Sequence, residues 1–185
     1  MLQNLLSKTS LSLIHPYELN KEPDSDLYNF TSDHGVKYYC IFKNCTHLLS
    51  PVIGIYDIEI FEFEFDYDDS RKNVIGERPV RYDERVSETI IYLLEHFFAL
   101  KLAVVVYICS SSDGKHNGRN VLFEDWFGRK QGLYQRIPLE LEVNIGNDEI
   151  LNVFACALTR MDFPFMNLLE EELRNEGLGI IANKF

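Results

Sequence analysis

The sequence predicts an α+β fold: a mixed, largely antiparallel sheet with helices packed on it. Three observations support this prediction. Residues 103–109 are apolar throughout, which is typical of a strand buried on both faces. Residues 83–100 place apolar side chains at helical spacing. Segments 27–30 and 36–42 read as two strands joined by a turn at Gly35, which is a hairpin pattern.

The complete order of predicted elements is β-β-β-α-β-α-β-β-α, and helices interleaved with hairpins indicate a mixed sheet. Asp83 is a candidate N-cap for the first helix, which runs to about Leu100. A second helix is predicted over 119–127. Strands follow at 133–143 and 150–158. In the last helix Pro164 fits the first turn, and the helix ends near Gly177.

Residues 52–67 predict a strand with a bulge or sharp bend near Ile60. The acids occupy odd positions up to Glu59 and even positions after it, so the alternation changes parity. Because a strand alternates its faces with period two, one extra residue would return the following aromatic side chains to the core. Three carboxylates then form a row on the solvent face of this strand: Glu62, Glu64 and Asp66.

The 185 residues are predicted to form one α+β domain over 27–185, preceded by an N-terminal arm over 1–26 that is weakly ordered or docked. This length is sufficient for a full core. We expect no signal peptide, because the first residues lack its pattern, and no apolar stretch approaches ~18 residues, so we expect no membrane span and a cytoplasmic location. In that compartment the four cysteines are expected to be reduced thiols.

The formal net charge of −11 argues against two classes of partner. Sequence-independent nucleic-acid binding depends on Lys and Arg displacing counterions, and anionic membranes attract basic segments. The charge instead suits solubility or a basic protein partner. It is also uneven, because residues 57–69 hold seven acids and no base, whereas residues 71–136 hold 11 of the 18 bases.

The loop 110–118 is the first candidate site. It follows the most apolar strand and leads into a helix, and ligands in α/β sheets gather beyond the carboxyl ends of strands. Helix N-termini also offer free N–H groups to anions. The candidate ligand-binding residues are Ser111, Ser112, Asp113, Lys115 and Arg119. Asp113 is the candidate acid, although no catalytic residue is assigned, and a plain polar connection is the competing interpretation.

The carboxylate row Glu62, Glu64 and Asp66 is a second candidate, either as an interaction surface or as a Mg²⁺ site. A solvated strand face is the commoner explanation, and a facing Lys or Arg would strengthen it. We therefore predict no metal and no cofactor.

Three further patterns have both a functional and a structural interpretation. Cys40, Cys45 and His47 resemble part of a zinc site, but a second ligand pair is missing, so buried free thiols are expected. Cys109 near His116 could be a catalytic pair only if the thiol were exposed and its pKa lowered. The aromatic residues Phe123, Trp126 and Phe127 could stack nucleic-acid bases, but at helical spacing they are expected in the core.

Two groups of motifs resemble a known family. One comprises segments 27–30 and 34–39, and the other comprises 106–115, Arg119 and 122–127. Together they resemble a family of short uncharacterised bacterial proteins, mainly from Bacteroidetes. The resemblance covers most of the chain after Leu27. It implies a cytoplasmic bacterial origin and no particular activity.

Three functional hypotheses follow. The first is a non-catalytic interaction protein that uses its acidic strand face or the loop 110–118, with a homodimer as one form. The second is an enzyme that acts on a phosphate-bearing ligand or nucleic acid, with Asp113 as acid and Lys115 and Arg119 as phosphate clamps. The third is a small-ligand binding domain. The enzyme hypothesis requires these residues and a second acid to converge in one pocket.

Overall fold

A computed structural model describes residues 14–48, 56–68, 83–109, 116–130, 132–144 and 150–173. The strands are β1 (Asn20–Lys21), β2 (Leu27–Thr31), β3 (Lys37–Asn44), β4 (Glu59–Asp68), β5 (Ala103–Cys109), β6 (Tyr134–Asn144) and β7 (Ile150–Arg160). The α-helices are α1 (Glu84–Leu100), α2 (His116–Gly128) and α3, which is described over residues 166–173.

The seven described strands form one mixed sheet in the order β1-β2-β3-β4-β5-β7-β6. β4 and β5 are parallel, because α1 returns the chain to the same end of the sheet, and the other neighbours are antiparallel. The α+β prediction is confirmed. The central position of β5 is also confirmed, since it pairs with β4 on one side and β7 on the other.

Both faces of the central sheet are covered, and β5 contributes to both cores. Val105 and Tyr107 face the layer formed by α1 and α2. Val104 and Val106 face the opposite layer, where α3 supplies Leu169 and Leu173. Uninterrupted apolar sequence is what a strand buried from two sides requires.

The sequence predicted α1 and the first hairpin correctly. Asp83 caps α1, with its Oδ1 accepting a hydrogen bond of 3.0 Å from the Arg85 backbone N–H. All five apolar residues of the predicted helical stripe lie in the core: Val86, Ile90, Leu93, Leu94 and Phe97. In the β2–β3 hairpin Gly35 has a φ of 76°, the left-handed conformation that favours glycine.

The bulge predicted near Ile60 is wrong. The pairing of β4 with β5 is continuous through Ile60↔Val104 and Phe61↔Val105. Ile60 is buried because it faces the α3 layer, while Phe61 faces the α1 layer. The predicted strand was also too long at its start, since Tyr56 and Asp57 form a turn and Asp57 has a φ of 53°.

Other element boundaries in the structure differ from the predicted ones by a few residues. α2 begins at His116, three residues before its predicted start. Pro164 lies in the turn before α3 and not in its first helical turn, and the predicted end near Gly177 lies outside the described residues. The described helices include none that is long and apolar enough to cross a membrane.

Residues 14–26 pack on the sheet and on α1. Tyr17 is buried, its backbone N–H donates to Thr89 Oγ1 at 2.8 Å, and its hydroxyl donates to Asp83 Oδ2 at 2.7 Å. The Arg85 guanidinium lies 3.9 Å from the centre of the Tyr17 ring. Tyr17 therefore ties this segment to the first turn of α1.

The packing of α1 on the sheet predicts unequal effects of two substitutions in the same helix. Leu94 is 0% exposed and Tyr92 is 51% exposed. We expect Leu94→Ala to lower the free energy of unfolding by about 2–5 kcal/mol through loss of burial and cavity formation. Tyr92→Ala should change it by no more than about 0.5 kcal/mol. Urea unfolding followed by circular dichroism measures both, and equal effects would contradict this packing.

Candidate functional site

A crevice opens where the central strand ends. The last residue pair between β4 and β5 is Phe63↔Tyr107, but β4 continues to Asp68 alongside β3. On the other side β7 pairs with β5 only from Phe154 onwards, and its first residues pair with β6. β5 therefore ends before its neighbours, and the carboxyl end of such a strand is where α/β sheets commonly bind ligands.

The crevice encloses about 480 Å³, within the range of small-molecule sites, roughly 300–1,000 Å³. Its described lining presents polar and apolar surface in similar amounts, from five aromatic rings, two aliphatic side chains, two acids and one arginine. These residues are Phe63, Phe65, Tyr67, Tyr107, Phe123, Ile108, Leu122, Glu64, Asp66 and Arg119.

The structure brings together residues from two candidate sites that the sequence analysis treated as separate. Arg119 comes from the loop candidate, and Glu64 and Asp66 come from the carboxylate row, yet all three line the same crevice. The parallel pairing of β4 with β5 causes this convergence, because it brings both carboxyl ends to one edge of the sheet. Ser111, Ser112, Asp113 and Lys115 lie outside the described residues.

The carboxylate row is already partly paired by a neighbouring strand. Lys43 of β3 lies opposite Glu62 in the strand register, and its Nζ is 2.6 Å from Glu64 Oε2. Asp66 is exposed, and its Oδ1 accepts a hydrogen bond from the Tyr67 backbone N–H at 2.8 Å. The facing lysine favours a solvated strand face over a Mg²⁺ site. The described residues contain no group of three or more His, Cys, Asp or Glu arranged to hold a metal.

All four cysteines are free and buried, as expected. Cys40 lies in the α1 layer and Cys45 lies in the α3 layer, so the sheet separates them and they cannot share a zinc ion. Burial raises the pKa of the Cys109 thiol to about 11, although the nearby Arg119 opposes this shift. A protonated thiol that is 0% exposed is poorly suited to act as a nucleophile.

The aromatic residues of α2 belong to the core and are not an exposed stacking platform. Phe123, Trp126 and Phe127 are all buried. Phe123 packs on Tyr107 with ring centres 4.6 Å apart, and Trp126 meets Phe65 edge to face at 6.0 Å. These contacts hold α2 against β4 and β5.

The sequence analysis missed Tyr107 as a site residue. Tyr107 lies in the floor of the crevice, and burial raises the pKa of its phenol, which therefore stays neutral. Arg136 of β6 donates from Nη2 to the Tyr107 hydroxyl at 3.5 Å. The available signal was weak: Tyr107 is the one residue of β5 with a hydroxyl group, in an otherwise apolar strand.

Comparison with protein families gives a match over part of the chain. The sequence profile of a family of unknown function, DUF6169, matches residues 82–171. Over this part of the chain the protein is similar to that family. The matched range contains β5, Arg119 and the second group of predicted family motifs, whereas the first group and β4 lie outside it. No curated protein and no solved structure matches.

The buried thiols predict low cysteine reactivity in the folded protein. Burial raises the pKa of Cys45 and of Cys109 to about 11, from an ordinary value of 9.0. Near neutral pH a chromogenic aryl disulfide should therefore label the native protein slowly, with the rate rising towards alkaline pH. Four equivalents should react after denaturation in guanidinium chloride. Rapid labelling of Cys109 in the native protein at neutral pH would restore it as a candidate nucleophile.

Proposed function

We propose that this chain binds a small organic molecule in the crevice beyond the carboxyl end of β5. One observation supports the proposal above the others: about 480 Å³ of concave space is lined by five aromatic rings and a few polar groups. Small-molecule sites have this composition, in which apolar walls supply affinity and sparse polar groups set the orientation.

Binding is favoured over covalent catalysis by the chemistry of the described lining. Cys109, the thiol at the end of β5, is protonated and fully buried. The phenol of Tyr107 is held neutral and contacts Arg136. The enzyme hypothesis is the alternative proposal. It depends on Asp113 and Lys115, which lie outside the described residues, as well as on Arg119.

The binding proposal predicts that N-phenyl-1-naphthylamine, a neutral dye that fluoresces in apolar sites, binds the native protein at one site. Leu122 lines the crevice, so Leu122→Trp should fill part of the space and weaken dye binding by about tenfold or more. Fluorescence titration gives the dissociation constant of each variant.

Val121→Trp is the matched control, since Val121 is the preceding residue of α2 and is 63% exposed. It adds the same indole to the same helix without entering the crevice, and dye affinity should be unchanged. Near-UV circular dichroism verifies that both variants keep native packing. If the dye does not bind, or if both variants bind it equally well, the crevice is not a ligand site.

An interaction protein is the second candidate function. It is favoured by exposed apolar side chains at the opposite end of the sheet, where α1 joins β5 and the turn residues before β6 meet the end of β7. The four are Leu100, Leu102, Leu133 and Met161, with exposures of 71%, 43%, 48% and 52%. They flank two adjoining hollows that share Arg160 and Asp162. Clustered apolar surface of this kind often marks a protein interface.

If this surface joins two copies of the chain, the double variant Leu133→Glu, Met161→Glu should shift the protein to monomer. Introduced like charges would face each other across a two-fold interface. Sedimentation velocity over a range of concentrations measures the association, and Val121→Glu serves as an exposed control on α2. A monomeric wild-type protein would exclude self-association and leave a different protein as the partner.

We also propose a bacterial, cytoplasmic setting. It is supported by the resemblance of two groups of sequence motifs to uncharacterised bacterial proteins and by four unpaired cysteines, which suit a reducing compartment.

A further inference from the structure

We infer that the ligand of the crevice is an aromatic carboxylate whose anionic group lies at Arg119. This inference rests on the proposed function, since it assigns a ligand class to the same site. It follows from where the charges lie within the crevice, how α2 begins and what forms the walls.

The arginine and one acid of the crevice differ in exposure. Arg119 is half-buried and close enough to the fully buried Cys109 to oppose the rise in its pKa that burial causes. Asp66 is exposed at the rim. Glu64 forms an ion pair with Lys43 at 2.6 Å. Arg119 is therefore the positively charged side chain of the described lining.

The start of α2 adds to this positive potential. α2 has 13 residues, its first turn contains no acidic residue, and Arg119 is its fourth residue. The N-terminus of a helix carries a partial positive charge that favours anions and disfavours cations. α1 begins in the usual way, with Asp83 as its cap and Glu84 in its first turn. A bound carboxylate would supply the negative charge that the first turn of α2 lacks.

Arg119 can serve such a ligand while keeping contacts within the chain. A guanidinium has five N–H donors, and its planar fork matches a carboxylate with two parallel hydrogen bonds. A single group of this kind suits a ligand with one anionic head.

The other lining side chains favour a ligand with an aromatic ring system. Phe63, Tyr107 and Phe123 line the crevice together with the aliphatic Leu122. Phe123 and Tyr107 are already in ring contact, with 4.6 Å between their centres, so they form a continuous surface. Flat rings bury large apolar area against such walls and gain from offset or edge-to-face contacts.

The test measures displacement of N-phenyl-1-naphthylamine by two isosteric competitors, 2-naphthoate and 2-naphthamide. Both carry the same ring system, but only the acid is charged near neutral pH. In the wild-type protein, half-displacement of the dye should need at least about tenfold less 2-naphthoate than 2-naphthamide, because a hydrogen bond to a charged group is stronger. Arg119→Gln should remove this preference, with the displacement by acid and by amide each compared at the variant's own affinity for the dye.

Arg129→Gln is the matched control. Arg129 lies just beyond the C-terminus of α2, carries the same charge and pairs with Glu84 and Asp125 away from the crevice lining. It should keep the preference for the acid. Asp66→Asn removes the negative group at the rim and should strengthen 2-naphthoate binding by about twofold.

The outcomes separate the two proposals. Equal displacement by acid and amide, or a preference that survives Arg119→Gln, overturns the ligand class while the crevice remains a ligand site. If Arg129→Gln also loses the preference for 2-naphthoate, the preference depends on the net charge of the protein, and the role of Arg119 is overturned. Failure of the dye to bind, or equal binding to the Leu122→Trp and Val121→Trp variants, overturns the crevice itself.

Discussion

The structure depends on one constraint, which is that β5 must be buried from both sides. Val104, Val105 and Val106 are each 0% exposed, and no single layer of helices could cover all three, because adjacent side chains of a strand point to opposite faces. α1 and α2 cover one face, and α3 covers the other. The crevice lies where β5 ends. β5 has 7 residues, whereas β4 has 10 and β7 has 11, so both neighbours continue where it stops.

Several elements were predictable because their signals are local. The helical spacing of α1, the cap at Asp83 and the positive φ of Gly35 each depend on residues close together in the chain. The bulge prediction failed because it assumed that β4 has one buried face. Ile60 is buried against α3, which lies about a hundred residues later, and no pattern within the strand could reveal that second cover.

The site was predictable only in part, for the same reason. Ligands commonly bind beyond the carboxyl end of a buried strand, and this rule predicted Arg119 as a site residue. The opposite wall could not be predicted, because Glu64 and Asp66 reach the crevice only through the parallel pairing of β4 with β5. A strand's alternation does not identify its neighbour. Lys43 likewise could not be assigned to Glu64 without the β3–β4 register.

The position of Arg119 follows from the core of the protein. Phe123 lies four residues after Arg119, so both side chains project from the same face of α2. Phe123 is buried against Tyr107, and Trp126 against Phe65, which fixes the rotation of α2 about its own axis. With that rotation set by aromatic packing, the guanidinium must lie at the crevice next to the end of β5. A charged group held by a rigid helix in this way is oriented before any ligand arrives, which lowers the entropy lost on binding.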